Sequence, residues 1–360
     1  MEGWDRALDD LSRAHPEFML FTVSSFRSSS ASPNAQNSPK RDKLMKKLSR
    51  IFLEPTPGNI LLEYDYSGAE TFSAGAITGC PTMQAYMLDE DTCMHADTCC
   101  YLLHIDDKNN LPSYEVEEED SQGFKVRRVI EAPKDPDDTF KMLRQITKIF
   151  VFGQFYGDYF GNQVNTLWEE FGQMPKDMLE WLEQHMVAKG LGSIPAFTNR
   201  LEEAQIDIWT RFKKYDQWRK DVWKDYVKKG YADTVTGFRL TGVYDRKQIS
   251  NMKIQGPSFH HLLHGIILAD REFRRLKLKS VFIAQVHDSF VVDLYPPEKD
   301  IVDKIVTECF LTKAELLPNL SWCTDLPFVM DRDEYEASWA SKASDTRLDR
   351  HAYEEDYVTA

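Results

Sequence analysis

One stretch constrains this chain more than any other: Arg144 to Gly157, RQITKIFVFGQFYG. Arg144, Lys148, Phe152 and Tyr156 recur every fourth residue, so on an α-helix they line one slowly drifting face. Along it the order is cation, cation, aromatic, aromatic, over roughly 18 Å at 1.5 Å per residue. A nucleoside triphosphate has the same order: phosphates, sugar, base. Two cations in the earlier turns also work against the helix macrodipole, which makes sense where an anion is to be held. The same spacing equally suits an amphipathic helix with an aromatic core face and a solvated basic end. The rest of the chain has to decide between the two.

Its 360 residues are enough for a sizeable core in two or three lobes. No apolar run approaches a membrane span, and the opening MEGWDRALDD has no signal-peptide character. The six cysteines form no zinc-like CxxC pair, so reduced thiols in a cytoplasmic setting are expected. A net charge of −14 argues mildly against a nucleic-acid partner, but binding follows the local field, not the sum. Basic residues gather at Lys40–Arg50, at Arg127 and Arg128, and at Arg211–Lys214, away from the acidic runs Glu115–Asp120 and the tail.

Trp4, Leu8 and Leu11 have helical spacing, with Phe18, Leu20 and Phe21 behind them. Ser24–Arg41 reads as a loop, rich in donors suited to phosphates and base edges: Arg27, Asn34, Gln36, Asn37 and Arg41. Ile60–Tyr66 reads as a strand, with a helix from Ser67–Glu70 to about Ile77. Helical stretches follow at Thr82–Met87 and Met94–His104, then an exposed loop over Asn109–Pro136. The Arg144 helix begins near Asp138. Gln163–Lys189 and Thr198–Lys229 look helical, with Trp168, Trp181, Trp209, Trp218 and Trp223 as core. Tyr231–Leu240 suggests a hairpin. Arg246–Gln255 and Pro257–Leu278 look like two helices. Ser280–Asp288 and Ser289–Leu294 are apolar strands flanking His-Asp-Ser; Ile301–Leu316 is a helix, Leu326–Met330 a last strand, and the tail from Ser344 is expected to be disordered.

Asp65 and Asp288 stand at strand ends in distant parts of the chain. A lone Asp at such a place is usually a helix cap. An Asp at the tip of a buried hairpin, however, is expensive to desolvate without a partner such as a metal. Together they could hold two divalent cations about 3.5–4 Å apart, the geometry of in-line phosphoryl displacement. Magnesium suits such a site because it needs few carboxylates.

These pieces resemble the palm and fingers of the family A (DNA polymerase I-like) DNA polymerases, in order from about Ser24 to beyond Leu294. DYSGAE (Asp65–Glu70) resembles the first palm motif, DYSxxE. Arg144, Lys148, Phe152, Tyr156 and Gly157 reproduce the fingers pattern R-x3-K-x3-F-x3-Y-G. VHDS (Val286–Ser289) resembles the second palm aspartate motif. FRSSSASPNAQN (Phe26–Asn37) and NMKIQG (Asn251–Gly256) resemble the primer-template segments GRxSSxxPNxQN and NxPxQG. The resemblance implies an α+β fold: an antiparallel palm sheet with helices and a mainly helical fingers subdomain. It assigns 1–67 to the primer-template segment and first palm part, 68–236 to fingers, 237–343 to the second palm part and 344–360 to a disordered tail. It also implies a DNA-directed DNA polymerase acting in replication. Asp65, Asp288 and the Tyr66 carbonyl become ligands of two Mg²⁺ ions, with Mn²⁺ an expected substitute. Arg144 and Lys148 clamp the triphosphate, Lys148 also as general acid. Phe152 flanks the sugar, Tyr156 stacks near the nascent pair, and Glu70 blocks a ribose 2′-OH. Arg27, Asn251, Gln255 and His287 touch the primer end or minor groove, and Asn34, Gln36, Asn37 and Arg41 contact primer-template DNA.

The departures set further expectations. Ser289 stands where the family usually has Glu, Lys247 where it has Arg, and Phe72 where an Arg is common. Single-subunit phage-type RNA polymerases have His-Asp-Ser, so RNA synthesis is the nearest rival, although Glu70 and Asn34-Gln36-Asn37 favour DNA. A non-catalytic DNA-binding relic is the other alternative, against which the retained aspartates and fingers face count. Only 26 residues precede Arg27, too few for a thumb or exonuclease. The expectation is therefore a split phage polymerase in the cytoplasm of an infected bacterium. A separate N-terminal polypeptide would supply the thumb and an exonuclease, and no membrane partner is expected.

Overall fold

The computed structural model describes residues 9, 15–20, 22–32, 34–36, 50, 53–89, 92–119, 121–312 and 328–348. The chain divides into a sheet unit, made of residues up to Leu88 and from Lys220 onward, and a helical unit, Asp89–Arg219. The fold is α+β.

The sheet unit opens with two short antiparallel strands, β1 (Glu17–Met19) and β2 (Ser29–Ala31). Strand β3 (Ile60–Tyr66) then leads through Ser67 and Gly68 into α1 (Ala69–Thr78) and α2 (Pro81–Leu88). Alternation along ILLEYDY sorts β3 by face: Leu62, Tyr64 and Tyr66 enter the main core, while Leu61, Glu63 and Asp65 point the other way.

In the helical unit, α3 (Met94–Leu103) precedes a hairpin of β4 (Tyr114–Glu119) and β5 (Lys125–Ile130). This corrects the expected loop over Asn109–Pro136. The hairpin lacks apolar alternation because opposite charges face each other across it: Glu117 pairs with Lys125 and Arg127, and Glu118 with Arg128. Helix α4 (Pro136–Phe155) follows, capped by Asp135, whose carboxylate accepts from the Asp138 amide at 2.9 Å. Next come α5 (Phe160–Gly172), α6 (Lys176–Ala188) and α7 (Ile194–Arg211); α8 (Lys213–Lys229) runs across the boundary of the units. The two expected helical runs are thus four helices, broken at Gln173–Pro175 and at Phe212. Of the five tryptophans expected in the core only Trp181 is fully buried; Trp209 is half-exposed, with the Arg219 guanidinium 3.8 Å from its ring centroid.

Back in the sheet unit, β6 (Tyr231–Asp233) and β7 (Arg239–Thr241) form the expected hairpin. Helix α9 (Arg246–Leu276) is continuous, not two helices. Pro257 removes one i→i−4 bond, but Ile249, Met252, Ile254, Phe259 and Leu262 bury on either side of it and hold the helix through the gap. Strands β8 (Val281–Val286) and β9 (Ser289–Leu294) precede α10 (Lys299–Thr307), which ends in a π-helical turn, Glu308–Thr312. The last strands are β10 (Met330–Tyr335) and β11 (Lys342–Leu348), so the strand expected to end at Met330 begins there. Ser344–Leu348 is paired sheet, contrary to the expected disorder.

Five strands of the sheet unit form one antiparallel sheet, ordered β11-β10-β3-β9-β8. On one face Tyr64, Phe290, Val292 and Met330 pack with Phe259, Phe273, Val306 and Phe310. Each such side chain contributes about 1.5–3 kcal/mol by leaving water. The other face is apolar only at one end, around Leu61, Val291, Tyr335 and Trp339; at the other end it carries acids. The expected helix at Trp4–Leu11, Asn37, Arg41 and residues past 348 lie outside the described residues.

Candidate active site

Asp65 sits at the exit of β3, directly opposite Ser289 of β9 on one side and Asp331 of β10 on the other. Asp288 occupies the two-residue turn between β8 and β9. The Tyr66 amide donates to the Asp288 carbonyl at 3.3 Å, so the two sequence-predicted aspartates meet at one end of the sheet. The Ser67 hydroxyl donates to Asp331 Oδ2 at 2.7 Å, which fixes a third acid there. Among the described residues no three His, Cys, Asp or Glu side chains converge into a metal cage. Two carboxylates and a backbone carbonyl, from the exit of β3 and the adjoining β8–β9 turn, are nevertheless a hard oxygen donor set. That fits magnesium, which keeps several waters.

The turn is held from behind. His287 has φ 60, a left-handed conformation uncommon outside glycine. Its carbonyl accepts from Gln285 Nε2 at 2.6 Å, and Gln285 Oε1 accepts from Gln36 Nε2 at 2.7 Å and from the Ser28 hydroxyl at 2.6 Å. Gln36 is buried, and its amide ties the Ser28–Gln36 segment to this turn. Asn34 Oδ1 accepts from the Gln36 backbone N–H at 3.1 Å and from the Ser30 hydroxyl at 3.0 Å, while His287 itself is exposed.

Below Asp65 on the same face lies Glu63, which is buried. It accepts from Arg50 Nη1 at 3.0 Å, Tyr335 Oη at 2.9 Å, Trp339 Nε1 at 2.7 Å and Ser289 Oγ at 3.3 Å. Burial, then the charge of Glu63, pushes the Tyr335 phenol far above its ordinary range, so it stays a donor. Ser289 is therefore the hydroxyl partner of a carboxylate carried by β3. A second carboxylate at position 289 would face Glu63.

Arg27 Nη1 lies 3.0 Å from Glu70 Oε1. Asn251 and Gln255, one turn apart on α9, are both half-buried. Beside them α9 approaches Ser25 so closely that a Cβ on Gly256 would sit 2.5 Å from the Ser25 carbonyl, which requires glycine.

In the helical unit, α4 buries Phe140, Leu143, Thr147, Phe150 and Val151 and leaves Arg144, Lys148, Phe152 and Tyr156 half-exposed along one stripe. The Phe152 and Tyr156 rings stack at 6.0 Å and 16°, and Lys148 Nζ is 5.2 Å from the Phe152 centroid. Gly157, at φ 82, ends the helix immediately after Tyr156. Arg144 Nη1 contacts Cys93 Sγ at 3.5 Å.

His95, which no sequence pattern marks, packs its ring 5.4 Å from Phe152. Burial, then the charges of Lys148 and Arg144, hold its pKa down to about 4, so the imidazole is neutral at pH 7. Its buried Nε2 has no hydrogen-bond partner among the described residues.

The described architecture has known counterparts. The chain is 22% identical over 310 residues to DNA polymerase I of Borreliella burgdorferi, covering 82% of this chain and 27% of that protein. Among solved structures it is similar to the POL domain of Pol1 from M. smegmatis, in complex with DNA primer-template and dNTP. That match has a TM-score of 0.65 and 18% identity, and covers 95% of this chain and 51% of that one. The chain thus shares the fold of that polymerase domain, and it spans only 27% and 51% of the lengths of these two relatives. No protein-family model matches it.

Two acids of β10 were within reach of the sequence. Asp331 and Asp333 alternate as strand residues should, but charges on both faces of MDRDEYE hid the strand: Arg332 is buried against Asp303 and Glu334. His95 precedes Phe152 by 57 positions and stands in no periodic pattern; only folding shows its place beside α4.

Proposed function

We propose that this chain is the nucleotidyl-transfer portion of a template-directed DNA polymerase that adds deoxynucleotides to a primer 3′-OH. The meeting of Asp65 and Asp288 at one end of an antiparallel sheet, across a single backbone hydrogen bond, carries this reading. In it the sheet unit acts as palm and the helical unit as fingers.

Asp65, Asp288 and the Tyr66 carbonyl would hold magnesium, which when bound activates the attacking hydroxyl and neutralises the leaving pyrophosphate. Arg144 and Lys148 bind the triphosphate, and Lys148 gives a proton to the departing oxygen. His95, neutral and with Nε2 unpartnered among the described residues, supplies a hydrogen bond to the same anion without a third charge. Phe152 packs against the sugar and Tyr156 against the base. Glu70 excludes a 2′-OH, while Arg27, Asn251, Gln255 and His287 face the primer-template.

Burial of Ser289 against Glu63 supports this reading over RNA synthesis, because packing accounts for the serine without any change of substrate. The test is primer extension on primed DNA with Mg²⁺, comparing deoxy- and ribonucleotides, with Asp65→Ala as control. Extension with deoxynucleotides that disappears in the variant is expected; extension with ribonucleotides alone, or activity that survives the substitution, overturns it. Phe152 has no phenol to replace a missing 3′-OH, so dideoxynucleotides should terminate poorly.

A further inference from the structure

We infer that Arg27 is a specificity-determining residue: its guanidinium holds the Glu70 carboxylate in one orientation, and the pair together discriminates against ribonucleotides. This rests on the polymerase reading above.

Glu70 is the second residue of α1, where a negative charge is favoured by the helix N-terminus. Its side chain is 19% exposed and that of Arg27 is 25% exposed, so their 3.0 Å contact is better shielded from solvent than a surface pair. Arg27 does not reach this partner from a free loop. Phe26 is in the left-handed region (φ 60), its amide donates to the Val23 carbonyl at 2.9 Å, and its ring packs 4.9 Å from Phe238. On one side the Ser25 carbonyl is pressed against Gly256; on the other Ser28 is bonded to Gln285. The backbone of Arg27 is therefore fixed at both flanks, and the guanidinium arrives at Glu70 from a set direction.

Orientation matters because a carboxylate is an ambiguous barrier. It occludes a hydroxyl by bulk, yet it also accepts hydrogen bonds, and a ribose 2′-OH is a donor. A carboxylate free to turn could accept from that hydroxyl and reward the wrong sugar. With Oε1 engaged by Arg27, the group presents a fixed surface and exclusion by bulk prevails. The planar fork of arginine fixes both direction and position; a lysine would supply only the charge.

The experiment measures incorporation of a deoxy- and the matching ribonucleotide opposite one template base. The full chain is compared with Arg27→Lys, Arg27→Ala, Glu70→Ala and the double variant, all checked for folding by circular dichroism. Arg27→Ala is expected to lower the deoxy-to-ribo preference about tenfold, the effect of losing one oriented charged contact. Arg27→Lys should lower it less, and the double variant should match Glu70→Ala. Should Arg27→Ala not fold, Arg27→Lys carries the test. Equal losses with both nucleotides, leaving the preference unchanged, overturn the inference, as does a double variant whose effects add. Failure of the unmodified chain to extend with deoxynucleotides instead overturns the polymerase reading and this inference with it.

Discussion

In the sheet unit, Asp65 and Asp288 come from distant parts of the chain and meet because strands pair. Behind them stand hydrogen bonds spanning hundreds of residues, from Gln36 to Gln285 and from Glu63 to Tyr335 and Trp339. In the helical unit, Arg144, Lys148, Phe152 and Tyr156 are aligned by a single helix, and the scaffold beneath them is ordinary apolar packing. One arrangement is global and polar, the other local and apolar. Damage should therefore spread differently: removing a polar support in the sheet unit orphans its buried partners, whereas trimming the α4 stripe costs only that side chain's contact.

The largest effect tests the acids themselves. Asp288→Ala should reduce primer extension by at least about a thousandfold, the scale of several kcal/mol on a barrier. Lys148→Ala should cost about ten- to a hundredfold, as for one charged hydrogen bond. Single-turnover rates for both variants would measure this, and comparable losses would erase the contrast between the units.

Next in size is Glu63→Ala, which leaves Arg50 buried beside Trp339 without its counter-charge. A loss of about 3–5 kcal/mol of stability is expected, read by denaturant unfolding. A loss below about 1 kcal/mol would mean that the network only fills space.

That difference between the units also decided what was legible in the chain. The α4 stripe could be read directly, because a 3.6-residue period is written into consecutive positions. The apolar runs of β3 and β9 announced buried strands. The Glu63 network left one clue, a glutamate in the middle of ILLEYDY, which demands partners once buried; the partners themselves, Arg50, Tyr335 and Trp339, lie too far off for any local pattern. Helix α9 is hidden in the sequence because Pro257 signals a break, while the apolar positions that hold the helix lie on both sides of it. The β4–β5 hairpin is hidden because its strands pair charge with charge and show no apolar alternation.

The third effect is pH-dependent. Folded His95 holds its proton less tightly than the unfolded chain does, with a pKa down to about 4 against an ordinary 6.5. The stabilisation is therefore fully present above about pH 6.5 and is lost as pH falls toward 4. About 2–3 kcal/mol should disappear across that window. His95→Gln should flatten the dependence, leaving the part due to the other histidines whose pKa values burial lowers, chiefly His260 and His261, to about 4 and about 3. Unchanged slopes in the variant would place the pH sensitivity in the other histidines, among them His104 and His185 of the helical unit, whose pKa values burial also lowers.

The smallest effect belongs to the hairpin, where the helical unit has polar contacts of its own. Its base is tied down: the Tyr114 hydroxyl meets His185 Nδ1 at 2.6 Å, Trp181 Nε1 donates to the Pro112 carbonyl at 2.8 Å, and Ile130 is buried. Farther out, Glu117 contacts Lys125 and Arg127 with all three side chains more than half exposed, where water and salt screen the attraction. Glu117→Gln should therefore cost less than about 1 kcal/mol and leave primer extension unchanged. Tyr114→Phe, which strips His185 of a buried partner, should cost more, about 1–3 kcal/mol. Thermal unfolding of the two variants side by side gives the order. A larger loss from Glu117→Gln would mean that exposed charge, not the buried base, holds this hairpin, and that the helical unit depends on polar pairing as much as the sheet unit does.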